Sequence, residues 1–229
     1  YCPVKFTYTV DTAIDDKILN DYEIHVHTMP LDTRNNIKKE SKKSGTWYTS
    51  EYKQYSFWNS KLQNASSDKE VRFLRIMRMK TLMSLPSKEK YATHLMNSTT
   101  NKCIVFANTK EQADKLCRYS YYSGNKKSED NLQKFKDGTI DRLSCVLQLN
   151  EGINIPNLKE GIILHSYSNE RKSNQRIGRL LRLNPDEKSI IHILCYSNTI
   201  DETWVKEALS DLDQSKIAWK QINQLQLEL

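Results

Sequence analysis

Between residues 103 and 196, short runs of Ile, Val, Leu, Phe and Cys alternate with polar, helix-prone stretches, and this alternation constrains the fold more than any other feature. The runs at 103–107 (CIVFA), 144–149, 161–166 and 189–196 (SIIHILCY) are apolar at successive positions. A strand apolar on both of its faces has to be covered on both sides, which is the signature of a buried parallel sheet. Helical stretches are read at 110–119 and 128–137, with a short strand near Tyr121 between them. Strands alternating with helices in this way make an α/β fold with helices on both faces of the sheet. Ligands of such sheets gather beyond the carboxyl ends of the strands.

A second feature lies between the last two of those runs. The octamer QRIGRLLR at 175–182 places Gln175, Arg179 and Arg182 at i, i+4 and i+7, one face of a helix, with Ile177, Leu180 and Leu181 mainly opposite. If the apolar side packs on the sheet, two guanidiniums and a carboxamide converge on the facing cleft. Such a group suits a terminal phosphate, because a guanidinium stays charged at physiological pH and pairs two oxygens at once. A solvated basic helix face is the other reading of these residues.

QRIGRLLR resembles motif VI (QxxGRxxR) of superfamily 2 helicases, whose engine is a pair of RecA-like domains with ATP between them. LNEGINIP at 149–156 is similar to motif V, and KCIVFANTKEQADKL at 102–116 resembles motif IV. The three stand in the family's order, over about 88–213. The likeness is to the second RecA-like domain of the DEAD/DEAH-like translocases related to restriction and repair motors, phage versions included.

The resemblance implies a RecA-like parallel sheet in the C-terminal motor domain of an ATP-dependent helicase or translocase, using ATP and Mg²⁺. Arg179 and Arg182 are implied as arginine fingers on the γ-phosphate, a role worth roughly 10³ to 10⁵ in turnover. Gln175 would touch a phosphate oxygen or position the fingers. Gly152 would let the backbone approach a phosphate or turn tightly after the strand, and Asn154 stands where the family commonly has Asp. DNA, or RNA, would lie across the domain and be held by its backbone, with Asn108, Thr109 and Lys110 as motif IV contacts. Ser123, Gly124 and Lys126 form a second candidate contact. Thr109 also reads as the N-cap of the helix it precedes.

There is no GxxxxGK[ST] loop and no DExx box in these residues. In the family both belong to the first RecA-like domain, so that domain of the same protein is the expected partner and the chain alone is expected to be inactive. Its opening at Tyr1 reads as part of something longer. A nucleic-acid-binding or assembly module that keeps the fold without motor function is the alternative. A subunit that pairs this motor with a nuclease is a third, though no acidic cluster with nuclease spacing is present.

Residues 1–31 read as a crossing segment from the first domain, contributing strands at 6–10 and 23–28 (EIHVHT) around a short helix. Residues 32–50 gather Arg34, Lys38, Lys39, Lys42 and Lys43 around Gly45 and read as a loop with some helical character. Residues 51–80 read as a helical insertion, within a segment 32–87, and 88–96 as a helix leading into the sheet. In the insertion Arg72, Arg75 and Arg78 stand at i, i+3 and i+6 behind Trp47, Tyr48, Tyr52 and Trp58. Basic residues among aromatics can bind a nucleic-acid strand through charge and stacking. A helix bundle with an aromatic core and a solvated basic side gives the same sequence. A helix at 201–212 and a polar C-terminal helix at 214–229 close the chain.

The net charge of +7, with pI near 9.0, favours an anionic partner. Cys2, Cys103, Cys117, Cys145 and Cys195 contain no CxxC pair and read as free thiols in a reducing compartment. No signal peptide or membrane-length apolar run is visible, which fits the cytoplasm, or a host's cytoplasm for a viral protein. The five histidines show no HxxxH or HExxH spacing, so metal binding finds no support, and His25 with His27 reads as one face of a strand.

Overall fold

A computed structural model describes residues 12, 14, 16, 21–41, 45–146, 155–166 and 188–223. The strand expected at 6–10, motif VI and residues 149–154 of motif V, with Gly152, Asn154, Gln175, Arg179 and Arg182, lie outside those residues.

Among the described residues, the centre is a seven-stranded sheet. Its strands are β1 (Tyr22–Met29), β4 (Cys103–Ala107), β5 (Ser120–Tyr121), β6 (Arg142–Val146), β7 (Glu160–Ile163), β8 (Ser189–Tyr196) and β9 (Ile217–Gln221). The spatial order is β5-β6-β4-β7-β8-β1-β9, and every pairing is parallel. A short antiparallel hairpin, β2 (Ile37–Ser41) with β3 (Gly45–Thr49), stands apart from it. The helices among the described residues are α1 (Glu51–Gln63), α2 (Asp68–Ser84), α3 (Pro86–Ser98), α4 (Lys110–Leu116), α5 (Ser128–Lys136) and α6 (Ile200–Ala208).

Strand alternation divides the core between two faces, because successive side chains point to opposite sides. Ile104 and Phe106 of β4 join Ile191 and Ile193 of β8 beneath Leu132 and Phe135 of α5 and Val205 of α6. Cys103, Val105 and Ala107 of β4 join Leu194 and Tyr196 of β8 beneath α1 to α4, through Tyr55, Leu82, Tyr91, Ala92 and Ala113. The expected RecA-like α/β sheet, covered on both faces, is what forms. Among the described residues, no helix is long and apolar enough to cross a membrane.

The helices begin where their sequences supply a cap. Ser50, Ser67, Thr109 and Thr199 each accept a hydrogen bond from the first turn of α1, α2, α4 and α6. Pro86 opens α3 at the position where a missing N–H costs nothing.

The structure corrects the sequence reading in several places. Residues 37–41 and 45–49 pair as the β2–β3 hairpin, where the sequence reads as a loop with helical character. The strand-favouring TWYT run follows Gly45, whose φ of 68° only glycine adopts freely. Both faces of the hairpin are largely exposed, so no apolar alternation marks it. The stretch 51–80 is two helices, parted where Ser67 caps the second. Residues 217–221 are the edge strand β9, paired with Ile24–Thr28 of β1, and not part of a C-terminal helix; residues 224–229 are outside the described set.

Cys103, Cys145 and Cys195 lie fully buried on sheet strands, and Cys117 is part-buried. Burial pushes the thiols of Cys103 and Cys195 up to about 12.

Candidate nucleic-acid interface

The strand order reverses around β4. From β4 the chain passes outward to β5, returns to β6, and then crosses to β7 on the other side of β4. Beyond the carboxyl ends of β4 and β7 there is therefore a switch point, the place where such sheets bind ligands. Asn108, Thr109 and Lys110 leave β4 at that end. Ser123, Gly124 and Lys126 leave β5 at the same end, two strands away.

The first turn is built by its own residues. The Thr109 hydroxyl accepts the Gln112 N–H at 3.2 Å and caps α4. Gln112 Oε1 accepts the Asn108 N–H at 3.1 Å, while Gln112 Nε2 donates to the Met83 carbonyl at 2.5 Å. The Asn108 amide lies against Met83 Sδ at 2.9 Å. Thr109 and Lys110 remain exposed.

The second loop is equally ordered. Asn125 Nδ2 donates to the Ser120 carbonyl at 3.1 Å, Asn131 Nδ2 donates to the same carbonyl at 2.9 Å, and Ser128 Oγ exchanges bonds with the Tyr122 backbone. Gly124 takes φ 92°, and a Cβ there would stand 3.5 Å from Lys110 Nζ. Lys110 also lies over the Tyr122 ring, 5.6 Å from its centre. The Tyr122 hydroxyl donates to Asp114 at 2.8 Å, and that carboxylate pushes the phenol pKa up. The structure thus brings Lys110 and Gly124 together, with exposed Ser123 and Lys126 on the same loop. Gln112, Tyr122 and Asn125, which hold this surface, went unread in the sequence. Their only signal is a polar side chain near each strand end.

The arginines of α2 do not share one environment. Arg72 and Arg75 are exposed beside Phe73, 55% exposed, and Ile76, 47% exposed. Arg78 turns inward and donates to Asn59 Oδ1 of α1 at 2.8 Å; burial lowers its pKa. Of the aromatic residues around it only Tyr55 is buried, whereas Trp47, Tyr48, Tyr52 and Phe57 are exposed. An aromatic bundle core is therefore not what this segment forms.

Below the switch point lies a buried polar cluster. Lys88 Nζ donates to Asp201 Oδ2 at 2.5 Å and to the Leu164 carbonyl at 2.9 Å, and neither charged side chain is more than 3% exposed. Tyr196, whose hydroxyl bonds Glu51, sits beside them; burial raises the pKa of both. The cluster ties α3 and α6 to the carboxyl end of β7.

On the helix-bearing face of the other half of the sheet, His25 and His27 of β1 meet His192 of β8. Burial holds the imidazole of His27 down at about 3 and that of His192 at about 4, so both are neutral.

Residues 87–184 match the helicase conserved C-terminal domain family. The chain is 28% identical over 140 residues to a DNA 3'-5' translocase, XPB2, of Sulfurisphaera tokodaii, covering 57% of this chain and 32% of that protein. It thus spans about a third of the relative's length. In fold it is similar to the E. coli DEAD-box protein SrmB, solved bound to regulator of ribonuclease activity A. That likeness has TM-score 0.51 and 11% identity, covering 91% of this chain and 94% of that one. It is also similar to the ATP-dependent Type ISP restriction-modification enzyme LlaBIII bound to DNA, with TM-score 0.53 and 15% identity over 97% of this chain and 17% of that one. Residues 87–184 are thus similar to a helicase conserved C-terminal domain, and the parallel sheet has the fold of the solved structures it resembles.

Proposed function

We propose that the chain is the C-terminal motor domain of an ATP-dependent superfamily 2 DNA helicase or translocase. Residues 88–213 form the motor domain, joined by β1 and β9; residues 32–87 are an appendage on one face; and 1–31 lead in from a first RecA-like domain. That domain would supply the phosphate-cradling loop and the Mg²⁺ ligands. The residues assigned to nucleotide, Gln175, Gly152, Asn154, Arg179 and Arg182, lie outside the described residues, so their role rests on sequence. Arg179 and Arg182 would neutralise charge developing on the transferred phosphoryl group.

The observation that carries the reading is the meeting of Lys110 with Gly124 at the strand ends of a domain similar to this family. Exposed Thr109, Lys110, Ser123 and Lys126 offer hydroxyls and charge to a sugar-phosphate backbone, which favours binding with little sequence preference. DNA is favoured over RNA by the name of the translocase relative. Arg72 and Arg75, flanked by exposed Phe73 and Ile76, would extend the contact along α2.

The test is the DNA-stimulated ATPase of the full-length parent protein. Arg182→Ala and Arg179→Ala should each lower turnover by about 10³ while nucleotide affinity is largely kept. The 229-residue chain alone should show no saturable turnover. Undiminished turnover in both variants would remove the finger role, and absent turnover in the wild-type parent would leave a binding module.

A further inference from the structure

We propose that His25, His27 and His192 form a binding site for a divalent transition-metal ion of the zinc class. The inference is independent of the motor reading and concerns the opposite half of the sheet from the Lys110 surface.

The register places the three together. His25 and His27 stand two apart on β1 and therefore share a face, and His192 is the residue paired with His25 across the parallel ladder. One ligand nitrogen from each ring lies within 4.8 Å of the others. Around a tetrahedral ion with bonds near 2.0–2.1 Å, nitrogens sit about 3.3 Å apart, so only small ring rotations are needed. His27 Nε2 and His192 Nδ1 are already 2.9 Å apart.

Two of the three rings, those of His25 and His27, already have the oxygen partner that metal-bound imidazoles require. A ligating histidine donates its other N–H to an oxygen, which fixes the ring and its tautomer. Tyr91 Oη stands 3.1 Å from His27 Nδ1, leaving Nε2 as the donor atom. Glu23 Oε1 stands 2.5 Å from His25 Nε2, leaving Nδ1. That Nδ1 lone pair faces a cation, the exposed ammonium of Lys220, at 3.1 Å. His192 shares a proton with His27 through Nδ1. On binding it carries that proton at Nε2, so no net proton is released from this ring. Three imidazoles leave a fourth position for water, and no thiolate joins them among the described residues, which favours Zn²⁺, Co²⁺ or Ni²⁺ over Cu⁺.

Lys220 makes the proposal sharply testable, because its ammonium occupies the approach to His25 Nδ1 and lies on the outer strand β9. In the metal-free full chain, Co²⁺ titration should give one equivalent with visible d–d absorption, displaced by Zn²⁺. His25→Ala and Glu23→Gln should weaken binding about 10- to 100-fold, and Lys220→Met should tighten it. His94→Ala, on an exposed histidine outside the group, should leave it unchanged. Circular dichroism of each variant separates lost ligands from lost fold, and Lys220→Met reads the site without touching a ligand. Wild-type binding no stronger than that of folded His25→Ala, or tighter binding absent from folded Lys220→Met, would overturn the assignment.

Discussion

At the scale of the residue, Lys88 is the side chain on which most depends. An ammonium with no exposure is held by one carboxylate and one carbonyl, and the carboxylate also accepts the Tyr196 N–H at 2.8 Å. Removing one member of such a pair leaves the other charged in a dry site, which costs about 3–5 kcal/mol, whereas removing both costs much less. Lys88→Met should lower urea-unfolding stability by about that amount. Lys88→Met combined with Asp201→Asn should recover a large part of it. A loss below about 1 kcal/mol in the single variant would show that water reaches the cluster. Nothing in the sequence singled out this pair, since Lys88 and Asp201 are 113 residues apart and each reads alone as a helix-surface charge.

At the scale of the element, legibility follows burial. The strands β4 and β8 have the bounds expected from sequence because both faces carry apolar side chains. The edge strand β9 is half-exposed along IAWKQ and offers no such pattern. The hairpin is more exposed still. The α2 arginines fail as one face for a geometric reason: steps of three residues in a 3.6-residue turn drift by about 60° each, so the third is carried toward the core. The two loops at the β4 and β5 ends, by contrast, meet as the strand-end rule predicts. Lys110→Ala with Lys126→Ala should weaken single-stranded DNA binding uniformly across sequences. If each lysine neutralises one phosphate, the log–log salt slope should shrink by roughly 1.4. An unchanged slope would place the strand elsewhere.

At the scale of the whole molecule, the parallel sheet was readable because its connectivity is written in alternation, each buried run followed by a helical one. The histidine group was not, because it needs the register between β1 and β8, strands separated by most of the chain. Local spacing rules see His25 and His27 and stop there. Motifs V and VI show the reverse case: their meaning comes from sequence, while the described residues supply the strand ends from which those segments depart.

The sulfur atoms of the sheet have a use as a clock. Cys103, Cys145 and Cys195 sit on three strands distributed across the sheet, sealed from water. Only a thiolate attacks a disulfide reagent. Ellman's reagent should therefore be consumed by these three at the rate of global opening, while the part-buried Cys117 reacts sooner. If the three react together, the sheet opens as one cooperative unit; staggered reaction would reveal a half that lets go first.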